Sequence, residues 1–386
     1  MAEIDFHKLA ALTEKDVIAW RRHFHQYPEL SNKEVQTSQF IQNLLGKMGI
    51  PHRVAAGTGV IAEISGKNKK VIGLRCDMDG LPVTEETGLE FSSVYPGIMH
   101  ACGHDAHMAI VLGVAKIFSG LKELPFSIRF LFQPAEESIP CGAPRMIKDG
   151  ALDQMKYLIG FHVWAGLNTG EFSVNKGPVM ASADRFTIVI KGRGGHGSSP
   201  HKTIDPVVAS AFFITQLQTI VSRQSDPQNP LVVSVGKISG GDAFNIIPDQ
   251  VELLGTVRTY DQKQNMMVEK SMKRMLKGLE KGTGVKTEIK YEDFVPTTYN
   301  NPELSEKIIE ILQSRFGKQA VKTDEKPTMG SEDFSFYSQK IPSCYINVGC
   351  GKSPFFHHSS KFNLDERCLA IGVEAMATII WNIGRK

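Results

Sequence analysis

Three short apolar runs constrain this chain more than any other feature: KVIGLRCDMD from residue 70, FSIRFLFQPAEE from residue 126 and YLIGFHVW from residue 157. Each has the length of a strand and is apolar on both alternating sets of positions, the pattern of a strand covered on both faces. Each also ends on groups that ionise or bind metal: Asp77 and Asp79, then Glu136 and Glu137, then His162. In open α/β sheets ligands gather at the carboxyl ends of the strands, so the runs predict one sheet and one site at its edge.

Around these runs the spacing turns helical. SNKEVQTSQFIQNLLGKMG places Phe40, Ile41, Leu44, Leu45 and Met48 at helical intervals, with Ser31 and Glu34 at capping-box spacing ahead of them. AHMAIVLGVAKIFSGL is apolar nearly all round and predicts a buried helix. HACGHDAH, residues 100–107, runs into that helix, and a helix N-terminus there is expected to favour the thiolate of Cys102. From about residue 184 the order becomes strand, helix, strand, strand, helix, strand, the split βαβ or ferredoxin-like arrangement. After Pro296 helices and strands alternate again. The economical architecture is a large α/β domain, residues 1–183 and 296–386, with a compact domain inserted at residues 184–295.

Length and charge narrow the function. A chain of 386 residues allows two or three domains and a large core. The formal charge of +3 is small, and Lys and Arg are scattered among acids, which argues against a nucleic-acid surface. No run approaches the roughly 18 apolar residues of a spanning helix, so no membrane partner is expected. Six cysteines form no CxxC pair, and the expectation is a cytoplasmic protein with reduced thiols.

The candidate ligands are Cys102, His104, Glu136 or Glu137, His162, and His357 or His358. Thiolate, imidazole and carboxylate together suit a borderline divalent ion such as zinc, nickel, cobalt or manganese. Five ligands exceed one tetrahedral ion, which points to two ions sharing a ligand, with Cys102 able to bridge. Plainer readings exist for each: an inert core cysteine, acids opening a helix, a hydrogen-bonded core histidine, an exposed loop. The coincidence of four clusters favours metal. In GRGGHGSSPH the glycines around His196 allow close approach to a ligand, and Arg258 is either a surface cation or a clamp for a carboxylate.

Ten motifs in order resemble the M20 family of metallopeptidases and amidohydrolases, in the branch of hippurate hydrolases, N-acyl amino acid deacylases and plant auxin-conjugate hydrolases. They are RRHFHQYPEL (21–30), RCDMDGLP (75–82), MHACGHDAH (99–107), FQPAEE (132–137), FHVW (161–164), GRGGHGSSPH (192–201), NIIPD (245–249), GTVRT (255–259), GSEDFS (330–335) and HSSKFNLDE (358–366). Carried over by position, the resemblance implies two divalent ions held by Cys102, His104, Glu137, His162 and His358, with Cys102 bridging. It makes Glu136 the general base and Asp79 a residue that orients a ligand. It also implies a homodimer through the inserted dimerisation and lid domain, with His196 reaching the partner's active site. Asn245 and Arg258 would receive the substrate carboxylate or reaction oxyanion, and Gly330 would lie near the substrate. Other branches carry His-x-Asp where this chain has Asp77-Met78-Asp79, and Asp in place of Cys102; His104 would supply the missing imidazole. Ser360 stands where the branch commonly has Pro, and no role falls to His107.

The implied reaction is metal-dependent hydrolysis of an N-acyl amino acid, N-acetyl, N-benzoyl or similar, to a carboxylate and a free amino acid. A carboxypeptidase or dipeptidase on the same scaffold is the nearest alternative. A purely structural metal protein has no use for the extra acid, and a thiol redox protein lacks a resolving cysteine near Cys102.

Overall fold

The computed structural model describes residues 4–385. Contacts divide the chain into two units: one of the residues up to Val179, Tyr299–Lys326 and Asp333 onward, the other of Met180–Thr298 with Pro327–Glu332.

The first unit opens with α1 (Phe6–Gln26), whose N-terminus Asp5 caps by accepting from the Lys8 N–H, and α2 (Val35–Lys47). Then follow β1 (His52–Ala55), β2 (Gly59–Ile64), β3 (Val71–Asp77), α3 (His104–Ser119), β4 (Ser127–Gln133), α4 (Ala143–Lys148), β5 (Met155–Trp164) and β6 (Phe172–Ser173). In the second unit the order is β7 (Ala183–Lys191), β8 (Gly195–His196), α5 (Pro206–Thr219), β9 (Leu231–Ser239), β10 (Ile246–Ile247), β11 (Gln250–Thr259), α6 (Gln262–Thr283) and β12 (Lys286–Val295). The chain returns to the first unit with α7 (Pro302–Phe316), β13 (Val321–Lys322), α8 (Ser335–Ser338), β14 (Ser343–Gly349) and α9 (Arg367–Arg385).

An eight-stranded sheet in the order β1-β2-β4-β3-β5-β14-β6-β13 carries the first unit. Its central strands β4, β3, β5 and β14 are parallel, so their carboxyl ends share one edge. Every residue of β3 is buried, as its unbroken apolar run requires, and α3 is buried along nearly its whole length. By length and composition α9 could cross a membrane, yet most of it is buried in this core, with Trp381 edge-on to Phe6 at 6.2 Å.

The expected capping box is absent. α2 begins at Val35, and Glu34 makes no side-chain cap. Instead Ser31 donates to Asp79 Oδ2 at 2.6 Å, and the buried Glu34 carboxylate accepts the N–H groups of Asn32 (3.0 Å) and Ala135 (2.8 Å) and the Thr58 hydroxyl (2.6 Å). Charge-assisted bonds inside the protein outweigh a cap in water.

In the second unit a four-stranded antiparallel sheet, β9-β11-β7-β12, packs with α5 and α6 around Phe186, Ile188, Phe213, Leu253 and Met272. A separate ribbon pairs β10 with β8, placing Ile246 opposite His196.

Candidate metal centre

The turn after β4 brings the acid pair to the site. Ala135 has φ 55°, a left-handed conformation that costs a non-glycine residue about 1 kcal/mol or more. Its N–H is held by Glu34 and its carbonyl by the Gly142 N–H at 2.9 Å. Only glycine fits at 142, because a Cβ there would lie 1.7 Å from the Pro134 carbonyl oxygen. Glu136 and Glu137 follow in this loop and open no helix. The Glu137 N–H donates to Asp79 Oδ2 at 3.0 Å, tying the loop to the end of β3.

Five side chains converge as two triads with a common member. The ligand atoms of Cys102, His104 and His162 lie within 4.8 Å of one another, and so do those of Cys102, Glu137 and His358. Glu136 forms a further group with His104 and Glu137 on the same criterion. The imidazoles are aimed by their backs: His104 Nδ1–H donates to the Asp79 carbonyl at 2.9 Å and His162 Nδ1–H to the Val163 carbonyl at 2.6 Å. A carbonyl only accepts, so a proton is fixed on each Nδ1 and Nε2 is the nitrogen left to face an ion, once any proton on it is displaced. His162 Nε2 lies 3.3 Å from Cys102 Sγ, and His358 Nε2 lies 3.1 Å from Glu137 Oε1. His357 turns away to the Val163 carbonyl at 2.8 Å, which separates the two adjacent histidines.

The electrostatics of this cluster call for positive charge. Burial pushes the Cys102 thiol far up, and Glu137, Glu136 and Asp77 add to it. The helix N-terminus therefore does not favour the thiolate of the metal-free protein as the sequence led one to expect: Cys102 is 7% exposed and faces acids. Burial lowers the His104 imidazolium, but Asp77, Asp79 and Glu137 outweigh it and hold it at about 10. Burial holds His162 well below its ordinary value and keeps it neutral. A site that draws protons onto a thiol and an imidazole, with soft and borderline donors around it, fits divalent ions displacing those protons.

The remaining candidates belong to the second unit. His196 Nδ1 accepts from the Ser198 N–H at 3.1 Å, which puts the ring proton on Nε2 as a donor. Asn245 precedes the ribbon strand β10, and its carbonyl accepts the Gly197 N–H at 2.8 Å. Arg258, at the end of β11, donates to Ser331 Oγ at 3.0 Å, and the Gly330 carbonyl accepts from the Ala181 N–H at 2.9 Å.

The sequence profile of peptidase family M20/M25/M40 matches residues 73–382. The chain belongs to this family. Among its relatives, an N-acyl-L-amino acid amidohydrolase of Geobacillus stearothermophilus is 44% identical over 76% of this chain and 80% of its own. A thermostable carboxypeptidase of Saccharolobus solfataricus is 39% identical over 96% of both chains. A crystal structure of a Bacillus subtilis protein described as a dinuclear metal-binding peptidase of the M20 family is 35% identical, with TM-score 0.85 over 97% of this chain and 99% of that one.

Around the M20 centre lie residues that sequence reasoning gave no role. His107 Nδ1 meets Asp77 Oδ1 at 2.6 Å, and its Nε2 accepts the Val163 N–H at 2.9 Å, so both nitrogens are committed. Arg75, fully buried, joins Asp77 to Asp333. One signal was available in the sequence: an arginine inside the apolar run VIGLRCD has to be paired if that run is a buried strand.

Proposed function

We propose that this M20 chain hydrolyses the amide bond of N-acyl amino acids, releasing a carboxylate and a free amino acid. The observation that carries the reading is the pair of triads sharing Cys102, with Glu136 beside them and outside both. Divalent ions held there would lower the pKa of a water and polarise the scissile carbonyl. Cys102, His104 and His162 would hold one ion and Cys102, Glu137 and His358 the other, while Asp79 fixes His104 and the Glu137 loop. Glu136 accepts the proton of the attacking water and returns it to the departing amine nitrogen. The Nε2–H of His196, reaching the partner's active site across a homodimer, serves as a donor to the tetrahedral oxyanion. Arg258 and Asn245 receive the substrate carboxylate, and Gly330 borders it.

Glu136→Gln tests this directly. It should retain both ions and lose about 10²–10⁴-fold in kcat; a metal-loaded variant with normal turnover removes Glu136 from the mechanism. The alternative, a metallo-carboxypeptidase or dipeptidase, is favoured by the Saccharolobus relative's description as a carboxypeptidase. Acetyl, benzoyl, indole-acetyl and dipeptide substrates measured side by side separate the two.

The second unit is read as a ferredoxin-like dimerisation and lid domain. Its strand-helix-strand-strand-helix-strand order supports this, and so do Val208 and Phe212, exposed one turn apart on α5, with Ile238 exposed on the edge strand β9. All six cysteines are free and buried, which accords with a reducing cytoplasmic setting.

A further inference from the structure

We propose that Arg75 and Asp333 are positioning residues of the metal centre, acting on His162 through a buried chain that runs Asp333, Arg75, Asp77, His107, Val163, His162. The inference rests on the metal reading of that cluster. Asp333 Oδ1 accepts from Arg75 Nη2 at 2.8 Å, and Arg75 Nη1 donates to Asp77 Oδ2 at 2.8 Å. The other oxygen of Asp77 accepts His107 Nδ1–H at 2.6 Å, and His107 Nε2 accepts the Val163 N–H at 2.9 Å. The carbonyl of Val163 then accepts His162 Nδ1–H at 2.6 Å.

Every hop is directional. A nitrogen that accepts a backbone N–H carries no proton, so His107 exists as one neutral tautomer whose Nδ1–H needs Asp77 as its acceptor. Val163 is pinned by its N–H on one side and by its carbonyl on the other, which fixes the direction from which the His162 ring is held. Moving Asp77 therefore turns a metal ligand. Asp77 in turn is held by Arg75, whose Nε–H also donates to Gln133 Oε1 at 2.9 Å. Asp333 anchors the far end: it accepts from Gln133 Nε2 at 2.8 Å and from the Ala143 N–H at 3.0 Å. It is also the first residue of the first unit after the chain returns from Pro327–Glu332, the stretch that carries Gly330.

Stability alone is a poor reason for this arrangement. Desolvating a guanidinium and two carboxylates is expensive, and buried ion triads replaced by apolar side chains of similar volume are often as stable or more so. The same replacement would sever the path to His162.

Full-length wild type, Asp333→Asn and the double variant Arg75→Met with Asp333→Leu are stripped with chelator and titrated with cobalt(II), whose visible spectrum reports ligand geometry. Asp333→Asn should alter that spectrum, weaken cobalt affinity or lower kcat by about 10–100-fold and leave KM within about twofold. The double variant leaves the buried Asp77 without its cation, so it should melt below wild type and, where it folds, keep the defect. Wild type that takes up cobalt, with Asp333→Asn unchanged in spectrum, affinity and rate, overturns this inference alone. A double variant that folds with a wild-type spectrum and rate does the same. Should the double variant fail to fold, the isosteric Asp333→Asn spectrum decides. Wild type that takes up no cobalt overturns the metal reading beneath it.

Discussion

Asp184 offers a pH test whose size follows from its surroundings. It lies on β7, opposite Asp293 of β12, and is only 3% exposed. Its Oδ2 accepts from Asn265 Nδ2 at 2.7 Å and Ser182 Oγ at 3.1 Å. Burial pushes the carboxyl up to about 7, with Asp293 adding to the rise and the hydrogen bonds and Arg258 opposing it. In the unfolded chain the same group titrates near 3.9. Between those values the native state holds more protons than the unfolded one, so stability falls as pH rises through that window and levels off above it. Three pH units at about 1.36 kcal/mol each set a ceiling on the order of 4 kcal/mol. Asp184→Asn removes the ionisation and keeps an acceptor oxygen. Amide exchange in β7 and β12, compared between wild type and variant at each pH, cancels the intrinsic exchange rate and reads local stability. The wild-type to variant rate ratio should be near one at about pH 4 and rise at least about tenfold by about pH 8. Parallel profiles would refute the assignment of a buried, raised carboxyl.

Other outcomes follow from the same geometry. Gly103 precedes α3 at φ 90°, and a Cβ there would lie 2.5 Å from Val163 Cγ2; Gly103→Ala should cost about 2–4 kcal/mol in a denaturant melt, and an unshifted midpoint contradicts the packing. Chelation should lower the melting temperature, and reloading should release protons from Cys102 and His104. Affinity should then rise about tenfold per pH unit for each proton displaced below the His104 value of about 10. Calorimetry in buffers of different ionisation heat counts those protons, and a count of zero contradicts the site's electrostatics. Phe212→Asp should leave a monomer in light scattering if α5 forms the interface, and a persisting dimer excludes that face.

The strands and the side chains that cluster as candidate ligands were legible because both rest on local rules. An all-apolar run such as VIGL has few fates other than a covered strand, and Cys102, His104 and His162 stand out by residue type. The choice between His357 and His358 was not local: it depends on which ring meets the Val163 carbonyl from 194 residues away. Ser31 and Glu34 were misread for the same reason, since capping spacing is a sequence property while Asp79 and Ala135 reach them only in the folded chain. His107 had no role in the sequence because its task is defined by Asp77 and a backbone N–H on another strand.

The discontinuity of the first unit sets an order of assembly. Cys102, His104, Glu137 and His162 leave the ribosome before residue 180, but β14, a central strand of their sheet, and His358 follow only after the whole second unit. The second unit is contiguous from Met180 to Thr298 and can begin folding during synthesis, whereas the sheet beneath the ligands closes only near the end of translation. If the proposed ligands hold the ions, metal acquisition is a late event in this protein's biogenesis, and a nascent chain arrested before residue 343 should bind its ions poorly even with four of the five proposed ligands already made.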